Sequence, residues 1–201
     1  MSEALVRGGP LPVGSIGTRA SGWWGAWFFL ISEVALFAYL FFTYFYFSVQ
    51  PSAGWPPGGP PSLAYPIPQV VVALLGCVSA TYAERAISRP GGSLFASLGL
   101  GLTALFGAGF IALQFLDWFG KPFGFATSTY SSVYYVVSGT HLAHVVAGEL
   151  MFIMLFVWTL LGYFGPVRHL PITVGVLYWY FVAALWLAVF FVLDLTPYFF
   201  R

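Results

Sequence analysis

Ionisable side chains stand inside long apolar segments of this chain, where they could hold a proton, a metal ion or a neighbouring helix. Residues 138–150, SGTHLAHVVAGEL, carry His141, His144 and Glu149, and an earlier apolar segment carries Glu33. A charged residue at the centre of a spanning helix costs about 2.5–3.5 kcal/mol, so such groups persist when they are paired, face protein or lie near an interface. These four side chains are therefore the candidate functional residues.

Helical geometry divides the 138–150 stretch into two faces. A helical residue turns by about 100°, which places His141 and His144 about 60° apart with Gly148 between them. These three residues form one stripe, and the glycine permits a close neighbour. Glu149 is displaced from His144 by about 140°. We therefore expect Glu149 to face another helix or the inner interface.

Three kinds of chemistry fit this pattern. An i, i+3 histidine pair could share a metal ion with Glu33 or Glu149, although a site usually needs three or four ligands. A haem held by two histidines takes one from each of two facing helices, and the remaining histidine, His169, lies in a predicted loop. A proton path through Glu33 is a further alternative. We favour a structural polar clamp over all three.

Three further acids lie near predicted helix ends, where snorkelling or solvent lowers the cost of a charge. For these we expect no buried role, and they are Glu84, Asp117 and Asp194.

The composition is that of an integral membrane protein. Of the 201 residues, 60% are hydrophobic and only 6% are charged, whereas soluble domains carry about 25% charged residues. The net charge of +1 gives no indication of a nucleic-acid partner. The single cysteine, Cys77, excludes an intramolecular disulfide and is expected to be a small buried side chain.

Five apolar segments are long enough to cross a bilayer, which takes about 20 residues of helix. They are continuously apolar rather than alternating, so they predict helices and not the strands of a barrel. The sequence therefore predicts an all-α bundle of five transmembrane helices, over residues 24–48, 67–87, 94–118, 132–162 and 172–196.

The basic residues predict that the N-terminus is inside and the C-terminus outside. With this orientation five arginines are cytoplasmic, and only Lys121 and Arg201 are external. Residues 1–22 read as an irregular cytoplasmic tail and residues 23–201 as the membrane domain. Residues 49–68 are rich in proline and predict a stiff, polyproline-like outer loop, in which Trp55 anchors at the interface or packs on a partner.

Depth in the bilayer links two of the candidate residues. Helix 1 enters from inside near Trp24, so Glu33 lies about 14 Å along it. Helix 4 enters from outside near Ser132, which places His144 about 12 Å from the inner edge of the hydrocarbon core. We therefore predict a Glu33–His144 hydrogen bond or ion pair that holds helix 1 against helix 4.

Several stretches, in order from Trp23 to the C-terminus, resemble subunit III of the haem-copper oxidases. WWGAWFFLISEVALFAYLFFTYFYF is similar to the family's helix with a Ser-Glu-Val-type motif, and GWPPGGPPSL to its Trp-Pro-Pro loop. LFGAGFIALQFLDW resembles the segment that ends in Gln-x-x-Glu-Tyr, with Gln114 matching and Asp117 in place of Glu. The five-helix length is similar to short bacterial members of the family.

The last two helices carry further motifs of the same family. SSVYYVVSGTHLAHVVAGEL resembles Thr-Gly-x-His-Gly-x-His-Val-x-x-Gly, and YWYFVAALWLAVFFVLDL resembles a helix that usually reads Tyr-Trp-His-Phe-Val-Asp-x-x-Trp. The chain departs from these patterns where Tyr180 and Ala183 replace the usual His and Asp, where Leu142 replaces a Gly, and at the extra acid Glu149. These departures alter the family's polar network around helix 5.

The resemblance implies an accessory subunit in the bacterial inner membrane with no cofactor of its own. Its main partner would be subunit I, which holds the haems and copper, with subunit II and small subunits or a respiratory supercomplex as further neighbours. Bound phospholipid is also implied, as is a role in proton uptake and in durability during turnover. Glu33, His141 and His144 would form its structural or proton-related network, with Gln114, Asp117 and Glu149 as additional candidates.

Cytochrome c is the electron donor that this resemblance favours for the complex. Alternatives within the superfamily are subunit III of a quinol oxidase and the accessory protein of nitric oxide reductase. A small membrane transporter is an alternative of a different class, although its usual repeats and broken helices are not visible.

Overall fold

A computed structural model describes residues 21–50 and 55–199 of the chain. Its main elements are five long helices, each long and apolar enough to span a membrane. They are α1 (Ser21–Ser48), α2 (Pro66–Ile87), α3 (Ser93–Phe119), α4 (Thr129–Leu160) and α5 (Leu170–Phe190). The predicted all-α architecture with five apolar helices is confirmed. The side of the membrane on which each terminus lies stays a prediction, as does the 1–22 tail, of which residues 1–20 lie outside the described part.

Each helix begins one to three residues before its predicted start, and local signals account for the starts of α2 and α4. Pro66 stands in the first turn of α2, where the missing N–H of proline costs nothing. At the start of α4, Ser128 Oγ accepts the Ser131 N–H at 3.1 Å, and Ser131 Oγ accepts the Ser128 N–H at 2.8 Å. This capping box satisfies two backbone donors and sets the first turn.

Helices α2 and α3 form the tightest pair in the bundle. A Cβ atom added at Gly99 of α3 would lie 2.8 Å from the Cβ of Ala83, so the two backbones meet where side chains are smallest. A hydrogen bond of 2.7 Å between the hydroxyls of Ser79 and Thr103 joins the same two helices. Helix α1, by contrast, packs mainly on α4 and α5.

The described part of the proline-rich loop is folded back on the bundle, and it departs from the predicted polyproline-like conformation at two glycines. Gly58 and Gly59 have φ angles of +92° and +96°, which interrupt an extended conformation. Trp55 packs edge-on against Tyr44 of α1 and Tyr130 of α4, with ring centroids 5.4 and 5.1 Å apart. The described part of the loop is thus held against the bundle through an aromatic contact within the chain.

The fifth span does not end where α5 ends. A π-helical turn, Phe191–Leu195, follows it, and a short helix, α6 (Thr196–Phe199), completes the span. Such turns widen a helix locally and change the direction of its side chains. Asp194 in this turn is only 2% exposed, so the turn coincides with a carboxylate that faces the protein.

Candidate functional site

Helices α1 and α4 meet through a polar pair in the middle of their apolar spans. His144 Nε2 lies 2.9 Å from Glu33 Oε2, and the two side chains are 13% and 17% exposed. The predicted contact is therefore present. The Tyr178 hydroxyl of α5 donates to the backbone carbonyl of His144 at 2.9 Å, so three helices converge at this residue.

The partners of His144 define how many protons the pair holds. Nδ1 lies 2.8 Å from the Thr140 carbonyl, which only accepts, so Nδ1 carries a hydrogen. Nε2 then either donates to a carboxylate as imidazolium or accepts from a carboxylic acid as neutral imidazole. Both arrangements have zero net charge. The pair can thus sit inside the bundle without the cost of an isolated charge, and one proton can reside on either side chain.

His141 occupies a separate, fully buried position one turn earlier on α4. Its Nε2 lies 3.1 Å from the Val182 carbonyl of α5, to which it donates, and its Nδ1 has no hydrogen-bond partner among the residues that the structure describes. The rings of Trp186 and Phe110 pack around it with centroids 5.0 and 5.5 Å away. His141 thus joins α4 to α5, whereas His144 joins α4 to α1.

The cavity beside His141 is small. The adjoining cavity, lined in part by Trp179, Ala183 and Trp186, has a volume of about 10 Å³, close to the room that one water needs. His169, just before α5, lies 3.3 Å from the Gly165 carbonyl through its own Nδ1. Within residues 21–50 and 55–199, no three His, Cys, Asp or Glu side chains come together to hold a metal ion. These positions do not support the shared-metal or haem alternatives.

Glu149 faces α3, off the histidine stripe. A Cβ atom added at Gly107 would collide with the Glu149 carboxylate, so Gly107 makes room for that group. Glu149 Oε2 is buried and has no hydrogen-bond partner within residues 21–50 and 55–199. Gly148 faces α5 instead, where an added Cβ would lie 3.0 Å from the Tyr178 ring. The stripe and Glu149 therefore contact different helices, as the helical geometry predicts.

A second polar cluster lies at the end of the bundle where α3 ends and α4 begins. Asp117 Oδ1 pairs with Lys121 Nζ at 2.9 Å, and Asp117 Oδ2 accepts from the Tyr134 hydroxyl at 2.5 Å. One turn earlier on α3, the Gln114 side-chain oxygen accepts from the Gln69 amide of α2 at 3.1 Å. This cluster ties α3 to both of its neighbours in the chain.

The expectation that Asp117 and Asp194 reach solvent is wrong, because both face inward and are 3% and 2% exposed. Asp194 lies within electrostatic range of Asp117 and Lys121, and its Oδ1 has no hydrogen-bond partner in the described part of the chain. Distance along the chain from a helix end does not determine which way a side chain points. Glu84, the third acid of that group, is half-buried.

The residues that sequence reasoning missed belong mostly to this second cluster. They are Gln69, Lys121, Tyr134, Tyr178 and Asp194. One signal was present, since Gln114 and Asp117 are three residues apart and so share one face of α3, and Lys121 follows Asp117 by four residues, just past the end of that helix. Nothing comparable marked Tyr134 or Tyr178 among the many aromatic residues.

Helix α5 departs from the family's pattern at Tyr180 and Ala183, and the structure shows what each of these residues contacts. The Tyr180 hydroxyl makes a short hydrogen bond to the Thr81 hydroxyl of α2. Ala183 is buried and lines the small cavity beside His141. The methyl group of Ala183 offers the unpartnered Nδ1 of His141 no donor. Among the described residues, the side chain of His141 therefore makes one hydrogen bond, to Val182.

Comparison with known proteins gives a family match over most of the chain. The model of the family described as cytochrome c oxidase subunit III matches residues 16–198. Cytochrome c oxidase subunit 3 of Petromyzon marinus is 32% identical over 171 residues, which are 82% of this chain and 65% of that protein. The protein of the same name from Synechocystis sp. is 31% identical over 175 residues, or 85% and 74% of the two chains.

The subunit 3 of Drosophila yakuba is 30% identical over 82% of this chain and 65% of its own length. The chain thus spans slightly less than two thirds of the length of the two animal relatives. The names of these relatives do not favour the quinol oxidase or nitric oxide reductase alternatives.

Proposed function

The chain belongs to the cytochrome c oxidase subunit III family, and we propose that it is the accessory subunit III of a bacterial haem-copper respiratory oxidase that takes electrons from cytochrome c. It carries no redox centre in this role. The haems and copper belong to the catalytic subunit I, on which it packs beside subunit II. The family match over residues 16–198 carries this proposal.

In this role the polar side chains of the chain hold its helices together and hold a proton within the membrane. The Glu33–His144 pair fastens α1 to α4 and stays neutral with its proton on either side chain. Transfer of the shared proton between the two side chains keeps the pair neutral, whereas passing it to a nearby path would leave a net charge of −1 until a second proton is taken up. We assign to it the support of proton uptake by the complex.

Helix α1 is the element with most surface left for a partner subunit or for bound phospholipid. Only 17% of the residues in the apolar stretch of α1 are buried within the chain, against 33–50% in the corresponding stretches of the other four helices. Its outward face carries large apolar side chains such as Phe28, Tyr39 and Phe42. A face of this kind is covered by lipid or by protein in a membrane.

Purification in mild detergent tests the oxidase assignment. The full chain with an affinity tag, expressed in its native host, is expected to co-purify with a subunit that shows haem absorbance. Isolated after dissociation, the chain itself is expected to show none. Purification of the chain alone, together with solute flux in liposomes, would support the transporter alternative and contradict the proposal.

Substitution in the assembled complex tests the role of the pair. Glu33→Gln is expected to leave the initial rate of O2 reduction nearly unchanged and to shorten the time over which activity persists during turnover. Ser32→Ala is the matched control, because the exposed Ser32 hydroxyl bonds only the Phe29 carbonyl of its own helix. Equal persistence of activity in both variants would contradict a role of the pair in proton uptake.

A further inference from the structure

The small cavity between α4 and α5 is lined by two residues whose side chains carry polar atoms without a hydrogen-bond partner. These residues are His141 and Trp186, and the other lining side chains are apolar or aromatic. His141 Nδ1 and Trp186 Nε1 are both buried, and neither has a partner within residues 21–50 and 55–199. The centroids of the two rings are 5.0 Å apart. Buried polar atoms in native proteins are nearly always hydrogen-bonded, so the two atoms together indicate a small polar ligand.

The hydrogen-bonding roles of the two atoms are complementary. His141 Nε2 lies 3.1 Å from the Val182 carbonyl, which only accepts, so Nε2 carries the hydrogen of the neutral ring. Nδ1 of the same ring is then an acceptor, whereas the indole Nε1–H of Trp186 is only a donor. A ligand that donates one hydrogen bond and accepts another therefore satisfies both atoms.

Size and charge select water among such ligands. The cavity has a volume of about 10 Å³, and one water molecule needs about 10–15 Å³. Its lining residues, all within the described part of the chain, include no Asp, Glu, Lys or Arg that could compensate the charge of an ion. Ala183 borders this space with a single methyl group, at the position where the family's pattern carries aspartate. The cavity therefore has room for one neutral molecule of the size of water.

We propose that one water molecule binds in this cavity, where it donates a hydrogen bond to His141 Nδ1 and accepts one from the Trp186 indole N–H. Buried waters of this kind satisfy polar groups that the chain itself leaves unpaired and form part of the structure. The water adds a second polar connection between α4 and α5, next to the bond from His141 to the Val182 carbonyl. The inference concerns the interior of this chain and does not depend on the proposed oxidase role.

Nuclear magnetic resonance of the full chain in detergent micelles, with nitrogen-labelled tryptophan, tests the site. The indole proton of Trp186 is identified by the signal that disappears in Trp186→Phe, and it is expected to receive magnetisation from water. Ala183→Val fills the cavity with additional methyl groups, so this transfer is expected to be lost. The matched control is Ala184→Val, because Ala184 is exposed and does not line the cavity. That variant is expected to keep the transfer.

Thermal unfolding of the same variants gives a second readout. Displacing the water leaves two buried polar atoms unpaired, so Ala183→Val is expected to lower Tm by at least about 2 °C relative to Ala184→Val. Ala183→Ser is expected to keep Tm near that of the unsubstituted chain, because its hydroxyl group can donate to the histidine and accept from the indole. Circular dichroism checks that the variants keep their helical content.

Two results would overturn the proposal. One is the absence of magnetisation transfer from water to the Trp186 indole proton in the unsubstituted chain, or equal transfer there and in Ala183→Val. The other is a higher Tm in Ala183→Val than in the unsubstituted chain, since added methyl groups stabilise a cavity that is dry.

Discussion

The pair of Glu33 and His144 shares one proton between two side chains that each need the other. Removing either partner leaves a polar group inside an apolar span, where it lacks the compensating hydrogen bond. Glu33→Gln keeps a polar group of the same size, whereas His144→Ala also opens a space beside Phe37, whose ring centroid lies 5.3 Å from that of the imidazole. The two variants therefore separate the loss of the bond from the loss of packing.

A double-mutant cycle on this pair is expected to give a coupling energy of about 0.6–1.7 kcal/mol, from the average to the upper end of what such cycles find for polar contacts between membrane helices. The measurement is the free energy of unfolding of Glu33→Gln, His144→Ala and the combined variant in mixed micelles. Strict additivity of the two single losses would show that the contact contributes nothing to stability.

At Gly107, substitution by alanine is expected to destabilise the fold by about 1–3 kcal/mol, as overpacking of a close contact does. The added Cβ would collide with the Glu149 carboxylate and lie 3.2 Å from the Trp179 ring. Gly109→Ala is the control on the same helix, because its nearest neighbour is a Val72 methyl 3.9 Å away. Glu149→Ala combined with Gly107→Ala is expected to recover part of the loss. Equal effects at the two glycines in thermal unfolding would refute the close contact.

Between elements, the polar cluster of Asp117, Lys121 and Tyr134 is the main side-chain tie from the end of α3 to the start of α4. Its acceptor is a carboxylate beside a lysine, so the tyrosine bond is charge-assisted and stronger than a neutral one. The neighbouring Tyr135 provides a comparison, because its hydroxyl donates at 3.0 Å to the neutral Phe123 carbonyl.

Tyr134→Phe is therefore expected to cost about 1.5–3 kcal/mol, against about 1 kcal/mol for Tyr135→Phe. Both changes remove one hydroxyl from adjacent tyrosines on one helix, and the unfolding free energies of the two variants are compared under identical conditions. A larger loss at Tyr135 than at Tyr134 would contradict the charge-assisted bond.

The helices were predictable from sequence because each is a continuous apolar run, and the Glu33–His144 contact was predictable because depth in a bilayer follows from position along a helix. The burial of Asp117 and Asp194 was not predictable, because the neighbouring helices determine which face of a helix turns inward. The π-helical turn at Asp194 adds a local change of direction that no residue pattern announces. The turn at Gly58 and Gly59 likewise depends on φ angles that only the folded loop reveals.

At the scale of the whole molecule, α1 is attached to the rest of the bundle mainly through α4 and α5 rather than through its neighbour in sequence. A chain divided into residues 1–52 and 53–201 and expressed as two pieces is therefore expected to assemble. Recovery of the tagged first piece with the second is measured by co-purification. Glu33→Gln in the first piece together with His144→Ala in the second is expected to lower that recovery. An unchanged yield would mean that the Glu33–His144 contact does not guide association.

The distance along the chain between Glu33 and His144 also sets how long Glu33 waits for its partner during synthesis. Glu33 and His144 are 111 residues apart, and chains are synthesised at about 5–20 residues per second, so roughly 6–20 s pass between the two residues. During that interval α1, α2 and α3 are made while the partner of Glu33 does not yet exist. The carboxyl group must meanwhile remain protonated, stay near the bilayer surface or be sheltered by the insertion machinery. The contact that holds the finished bundle together therefore cannot form until most of the chain has been synthesised.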